Sequence, residues 1–165
     1  KVVPESTDNF NFNNKEKDMG TFPGGNLVRV TPTVIAGTTE DNDAMFDATE
    51  IPNAVSSRGG VSKLTGLTII DKDGEQVDME IIFMQVQTNW GTAGSATTIT
   101  NNASIWSAAR FLGTANAVSS PLPLLVQAAG GSTSIYFTAI VADSNNADYA
   151  ATDDLEFVFH FEYLG

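Results

Sequence analysis

The C-terminal end of the chain carries the strictest alternation of apolar and polar positions. In the stretch "LEFVFHFEY", every second side chain from Leu155 to Tyr163 is large and apolar, whereas Glu156, His160 and Glu162 lie between them. Because successive side chains of a strand point to opposite faces, this period of two predicts a strand that is buried on one face. The predicted buried row is Leu155, Phe157, Phe159, Phe161 and Tyr163.

An acidic bend in the middle of the chain, "IIDKDGEQVDMEIIFMQV", fits part of a calcium-loop pattern. Asp71, Asp73, Gly74 and Glu80 have the spacing of carboxylates, glycine and terminal glutamate in such a loop. A helix-flanked calcium loop needs helices on both sides, however, and the flanking residues here are β-branched and apolar. Its first ligand would be Ile69, which has no side-chain oxygen. The pattern therefore favours a turn between the two strands of a hairpin over a cation site.

The second strand of this predicted hairpin changes character along its length. One face is apolar throughout, and the other begins with acids and then becomes apolar, so one end of the strand is predicted to be covered on both faces. The cover would be a second sheet or a neighbouring subunit. The first face holds Val77, Met79, Ile81 and Phe83, and the second holds Asp78, Glu80, Ile82, Met84 and Val86.

Two other regions are predicted to form strands. "LVRVTPTVI" places Val28, Val30 and Val34 on one face, and Pro32 confines this strand to a sheet edge or ends it, because proline cannot donate to a ladder. Farther on, "PLPLLVQ" and "SIYFTAIVA" flank the turn "AAGGSTS" and predict a second strand pair, whose first strand is limited to an edge by its prolines.

One short helix is predicted in "NNASIWSAARFLG". Asn102 or Ser104 can cap its start and Gly113 can end it. Its apolar positions at helical spacing are Ile105, Ala108, Ala109 and Leu112.

A long acidic loop is predicted in "AGTTEDNDAMFDATEIPNAVSSRGG". Long loops in compact domains are functional or mobile. This one is the second candidate cation site, through Glu40, Asp41, Asp43, Asp47 and Glu50.

Together these elements predict an all-β fold, an antiparallel two-sheet β-sandwich of jelly-roll type with one short helix. An immunoglobulin-like sandwich is the alternative. Residues 1–25 are polar and aperiodic and are expected to form an extended N-terminal arm, anchored by Phe10, Phe12 and Phe22, or else a frayed terminus. Residues 26–165 form the predicted sandwich domain.

Charge and composition then limit the classes of partner and of chemistry. Eight basic and twenty acidic residues give a net charge of −12, which repels nucleic acid, and the basic residues are scattered. Cysteine is absent, so thiolate chemistry is excluded. No apolar run is long enough to span a membrane, and the N-terminus lacks the apolar block of a signal peptide.

The sequence offers few candidates for catalysis. His160 is the only histidine, and its place on the outer face of a strand favours a surface role. No serine lies in a nucleophile-elbow motif, and the glycine pairs lack the lysine of a phosphate-binding loop. We therefore predict no enzyme activity and no catalytic, cofactor-binding or metal-binding residue. A carboxylate pair for glycoside hydrolysis stays open, as does a sugar platform formed by Trp90 and Trp106.

The order of four stretches resembles the small decoration, or cement, proteins of tailed bacteriophage capsids. These stretches are "RVTPTVIAG", "RGGVSKLTGLTIIDKDGEQVDMEIIFM", "GGSTSIYFTAIVA" and "YAATDDLEFVFHFEY", which together cover roughly residues 29–163. The resemblance implies a β-sandwich on the outer surface of the virion, often a homotrimer, that bridges neighbouring major capsid subunits. The expected contact residues are Phe10, Phe12, Phe22, Ile82, Met84 and Val86.

The competing hypothesis is a binding module of a tail or fibre, or a secreted carbohydrate-binding domain. Such a module would use Trp90, Trp106 and loop acids with calcium.

Overall fold

The described part of the protein is all-β, as predicted, and its strands form three antiparallel sheets. The computed structural model describes residues 25–88, 92–97, 105–111, 122–142 and 146–164, and for 105–111 it describes the backbone. These ranges contain no helix. Within these ranges lie ten strands: β1 (Gly25–Val30), β2 (Gly37–Thr39), β3 (Thr49–Ile51), β4 (Val61–Asp71), β5 (Met79–Met84), β6 (Ile105–Phe111), β7 (Leu124–Gln127), β8 (Ile135–Val141), β9 (Ala147–Tyr149) and β10 (Leu155–Tyr163).

The first four-stranded sheet has the order β1-β10-β4-β7. Its centre is the long β10, which pairs with β1 on one side and with β4 on the other. The prediction that this strand lies at a sheet edge or ends near Pro32 is confirmed, because β1 lies at the edge and ends at Val30, which leaves Val34 outside the strand. The edge position predicted for β7 is confirmed as well.

The second four-stranded sheet has the order β3-β8-β5-β6, and the short strands β2 and β9 pair separately. The two four-stranded sheets share one hydrophobic core. The ring of Phe137 in β8 lies 5.0 Å from that of Phe157 and 4.9 Å from that of Phe159, both in β10. Phe83 in β5 is 5.9 Å from Phe159. The alternation predicted for β10 is therefore confirmed, since its apolar row fills this core.

Both predicted hairpins are wrong. The strands β4 and β5 are consecutive but belong to different sheets, and so do β7 and β8. Residues 72–78 link β4 to β5, and seven residues are enough to cross between sheets about 10 Å apart. The apolar pattern of each strand shows that it is buried, but it does not show which strand is its neighbour.

The predicted loop between residues 36 and 60 is confirmed only in part, because two short strands interrupt it and some of its residues lie in the core. It contains β2 and β3, and Phe46 is buried with its ring 5.1 Å from that of Phe137. The amide of Met45 donates to the carbonyl of Ala139 at 2.9 Å, and the Thr138 hydroxyl donates to the carbonyl of Phe46 at 2.8 Å. These bonds attach this segment, whose sequence is largely polar, to one side of β8.

The predicted helix is wrong for Ile105–Phe111, which forms β6. Residues 101–104 and 112–113 lie outside the described residues. The sequence "IWSAARF" contains small residues that fit a period of 3.6 and also a period of two, so periodicity does not distinguish helix from strand here. The segment is a strand because it pairs with β5, from Met79 opposite Phe111 to Met84 opposite Ile105.

Candidate functional site

The outer side of the first sheet is a solvent-exposed surface on which apolar and charged side chains are mixed, and we call it the open face. It is formed by the side chains of β1, β10, β4 and β7 that point away from the core. Leu27 is 50% exposed and Leu125 is 60% exposed, whereas Val158 and Ile70 between them are half-buried. Exposed leucines on both edge strands of a sheet make this surface a candidate contact site.

Ion pairs lie among the apolar side chains of the open face. Arg29 in β1 reaches Glu156 in β10, with 2.5 Å between the guanidinium nitrogen and the carboxylate oxygen. Lys63 in β4 reaches Glu162 in β10 at 3.1 Å. Both pairs join neighbouring strands and leave the leucines uncovered.

His160 lies in the middle of the open face, on the outer side of β10 as predicted. It is half-buried because Gly66, its partner in β4, has no side chain, and a Cβ built there would lie 3.4 Å from the His160 ring. The Thr65 hydroxyl donates to the His160 carbonyl at 3.0 Å, next to the irregularity in register that follows His160. The imidazole therefore packs against the backbone of β4.

The outer side of the second sheet is buried, and we call it the closed face. Ile82 and Met84 of β5 are 1% and 0% exposed, and together with Ile140 of β8 they form a second hydrophobic cluster. Ile82 and Met84 were expected to contact a partner, and this expectation is corrected because both are covered within the chain. Val86, just beyond β5, is 42% exposed.

The acidic bend forms a turn, as predicted, with Gly74 at a φ of +81°. One oxygen of the Asp71 carboxylate accepts hydrogen bonds from the amides of Asp73 and Gly74, at 3.2 and 2.8 Å, and the other accepts from Gln76 at 2.9 Å. Glu80, the last member of the calcium-loop pattern, lies in β5 opposite Ile140. The four residues of that pattern are therefore not brought to one site.

The bend packs instead against β9 and the connection from β9 to β10, and together they form what we call the acidic corner. The Asp73 carboxylate accepts from the amide of Ala150 at 2.9 Å, and Glu75 accepts from the amide of Asp148 at 3.3 Å. The Asp154 carboxylate accepts a hydrogen bond from the amide of Ala151 at 2.6 Å. The members of the acidic corner are Asp71, Asp73, Glu75, Tyr149 and Asp154.

Tyr149 lies between Asp148 and Ala150, whose amides donate to Glu75 and Asp73 of the acidic corner. The side chain is 2% exposed, and its hydroxyl has no hydrogen-bond partner among the described residues. Burial raises its pKa well above the ordinary value, and the negative charges of Asp71, Glu75, Asp73 and Asp154 raise it further. No sequence pattern singled out this tyrosine, because it comes together with the bend only in the folded chain.

The second predicted cation site does not assemble either. The Asp43 carboxylate accepts from the amide of Glu40 at 3.3 Å, Asp41 accepts from the Asn42 side chain at 2.9 Å, and Asp47 accepts from the amide of Ala93 at 3.1 Å. In the parts of the chain that the structure describes, no three acidic or histidine side chains lie close enough to share a metal ion as they stand.

A cleft of about 380 Å³ lies between the segment that follows β1 and the segment that precedes β3. Its walls combine hydroxyls, one carboxylate and small apolar groups, including those of Thr31, Pro32, Thr33, Asp47, Thr49 and Ala93. Such a lining suits a small polar ligand.

Several predicted contact residues fall outside this description. Phe10, Phe12, Phe22 and Trp90 lie outside the described residues, and Trp106 lies in β6, of which the structure describes the backbone.

Comparison with known proteins adds no relative. No protein-family model matches the chain, and no curated protein or solved structure matches it. Within the described ranges, no helix has the length and apolar character needed to cross a membrane.

Proposed function

We propose that the protein is a non-enzymatic structural protein that binds the outer surface of a bacteriophage capsid and cements neighbouring major capsid subunits, as a homotrimer. The observation that carries this proposal is the open face, a regular sheet surface on which Leu27 and Leu125 are at least half exposed. Burying such side chains against a partner contributes about 25 cal/mol for each Å² of apolar surface removed from water.

We infer in addition that the two four-stranded sheets form a β-sandwich of jelly-roll type. Without the short strands β2 and β9, eight strands remain, and they pair as a folded ribbon would: first with last, second with seventh, third with sixth, and fourth with fifth. These pairs are β1 with β10, β3 with β8, β4 with β7, and β5 with β6. Nested pairing of this kind is expected for a jelly roll, a fold that occurs in viral capsid and lectin domains.

The mechanism would be thermodynamic linkage. A protein that binds the assembled shell and not its separate subunits stabilises the shell by the free energy of that binding. The net charge of −12 is compatible with a position outside a DNA-filled particle, where a basic surface has no use. The resemblance to cement proteins supports the same position.

Co-sedimentation with undecorated capsids tests the proposal. The unmodified protein should pellet with capsids at a saturable ratio, and the double variant Leu27→Lys with Leu125→Lys should not. The matched control is Thr38→Lys with Asn146→Lys, which places the same added charge on two exposed positions outside the open face. Failure of the unmodified protein to pellet would refute the function, and equal loss by the control would refute the choice of face.

The cleft favours a second candidate, a binding module for carbohydrate. Threonine hydroxyls beside the Asp47 carboxylate can exchange hydrogen bonds with sugar hydroxyls. A glycan array probed with the unmodified protein and with Thr33→Val would decide. Specific signals that the variant loses would support this module, and a blank array would exclude it for the glycans displayed.

A further inference from the structure

The cleft next to β3 is bounded by three segments that meet only in the folded chain. Residues 31–35 follow β1, residues 47–49 run into β3, and Ala93 belongs to a segment far along the sequence. The Asp47 carboxylate accepts a hydrogen bond from the amide of Ala93 at 3.1 Å. Because this bond joins two lining residues, it holds the carboxylate at the wall of the cleft.

Backbone hydrogen bonds attach the segment after β1 to the rest of the fold. The amide of Val34 donates to the carbonyl of Thr152 at 3.0 Å, and the amide of Ile35 donates to the carbonyl of Met45 at 3.3 Å. Pro32 and Val34 are buried, and Ile35 is half-buried. This wall of the cleft is therefore formed by the fold itself and needs no ligand to order it.

The lining of the cleft is richer in free acceptors than in free donors. The amides of Val34, Ile35 and Ala93 already donate within the chain. The Thr49 hydroxyl donates to the carbonyl of Asp47 at 2.8 Å, which leaves its oxygen as an acceptor. One oxygen of the Asp47 carboxylate accepts the amide of Ala93, and the other accepts no hydrogen bond among the described residues. A ligand that brings its own donors would use both acceptors.

Charge limits the ligand further. Among the described residues that line the cleft, Asp47 alone carries a charge, so the cleft attracts cations and repels anions. An ammonium group has three donors and no acceptor, and its hydrogen bonds to a carboxylate are stronger than those between neutral groups. The apolar groups of Pro32, Val34 and Ala48 can cover an aliphatic stem that carries such a group.

We propose that the cleft binds a primary ammonium group on an aliphatic stem, as found in a lysine side chain or a diamine. The Asp47 carboxylate and the Thr49 hydroxyl oxygen are its acceptors. The cleft volume of about 380 Å³ lies within the range of small-ligand sites. This ligand is an alternative to the carbohydrate considered above, and the site does not depend on the proposed capsid function.

Titration of isotope-labelled protein with Nα-acetyl-lysine amide, followed by NMR, tests the proposal. We expect saturable shifts of the amide signals of Asp47, Thr49 and Ala93. The same compound acetylated on its side-chain nitrogen keeps the stem but loses the charge, and it should not bind. Asp47→Asn should raise the Kd about fivefold or more, since it removes the charge but keeps an oxygen that can accept the amide of Ala93.

The matched control is Glu40→Gln, which removes the same charge from an exposed position outside the cleft lining. This variant should keep the affinity of the unmodified protein. An equal loss of affinity in the control would overturn the proposal, because it would indicate attraction by the net charge of −12. Absence of saturable shifts, or equal binding of the acetylated compound, would overturn it as well.

Two further comparisons examine the acceptor and the source of the ammonium group. Thr49→Val should weaken binding and Thr49→Ser, which keeps the hydroxyl, should not; equal loss in both variants would contradict the role of this oxygen. Cadaverine, a free diamine, is titrated beside the blocked lysine. Tighter binding of cadaverine would assign the site to free diamines, and equal or weaker binding would assign it to a lysine side chain of a partner.

Discussion

The two four-stranded sheets differ most on their outer faces. The closed face of the second sheet buries Ile82 and Met84 completely, whereas the open face of the first sheet leaves Leu27 and Leu125 in solvent. The inner faces of both sheets fill the same core. Apolar residues on the outer side of a sheet therefore have two different environments in this protein: on one sheet they are buried and hold the fold together, and on the other they are exposed to solvent.

The largest expected effect comes from the core that the two sheets share. Phe137→Ala removes the ring that contacts Phe157 and Phe159 across the two sheets, so we expect a loss of about 3–5 kcal/mol in the free energy of unfolding. Denaturant unfolding followed by fluorescence and by circular dichroism would measure it. A loss below about 1 kcal/mol would show that the sheets do not depend on one another.

The next test compares the two outer faces directly. Ile82→Ala on the closed face should cost about 2–5 kcal/mol, because it leaves a cavity. Leu27→Ala on the open face should change stability by no more than about 0.5 kcal/mol, as surface substitutions do. Similar costs for the two variants would remove the distinction between the faces.

A third test concerns the end of the shared core at Tyr149. Burial raises the pKa of its hydroxyl. Between the pKa of the unfolded chain and that of the folded protein, the folded protein therefore keeps the proton while the unfolded chain releases it. Stability from this group is complete below about pH 10, the pKa of tyrosine in unfolded chains, and falls at higher pH by about 1.4 kcal/mol per pH unit until the folded pKa is reached.

Tyr149→Phe should therefore lose less stability than the unmodified protein as pH rises above about 10. Urea unfolding in the presence of a chelator at a series of alkaline pH values would measure the difference, and Tyr136→Phe serves as the control. Parallel profiles for the unmodified protein and Tyr149→Phe would show that this hydroxyl ionises normally in the fold.

The smallest effect is expected from the ion pairs of the open face. Arg29 is mostly exposed, so Arg29→Gln should cost at most about 1 kcal/mol in low salt, and less as salt screens the pair with Glu156. Thermal unfolding at two ionic strengths would measure it. A large cost that salt does not change would mean that Arg29 acts by packing.

The β10 strand shows what the sequence could predict. Its side chains alternate so regularly that strand, buried row and outer row all follow from the period of two, and the structure confirms them. The acidic bend was predicted as a turn for the same kind of reason, since the glycine and aspartates that form it are adjacent in the chain.

The remaining features depend on contacts between distant residues. Nothing in "DAMF" shows that Phe46 enters the core, because its partner Phe137 lies 91 positions away. The same holds for strand neighbours: the apolar pattern of β5 predicted burial on both faces, but not that β6 and β8 flank it. The acidic corner was missed because Glu75 and Tyr149 meet only when β9 packs against the bend.

The most direct test of the proposed docking surface uses the absence of cysteine from the chain. Single thiols are introduced by Leu125→Cys on the open face and Ile82→Cys on the closed face, and the rate of thiol labelling is measured for free protein and for protein bound to undecorated capsids. We predict fast labelling of the Leu125→Cys variant when free, slow labelling when bound, and slow labelling of the Ile82→Cys variant in both states. Unchanged labelling of the Leu125→Cys variant on the capsid would contradict docking through the open face.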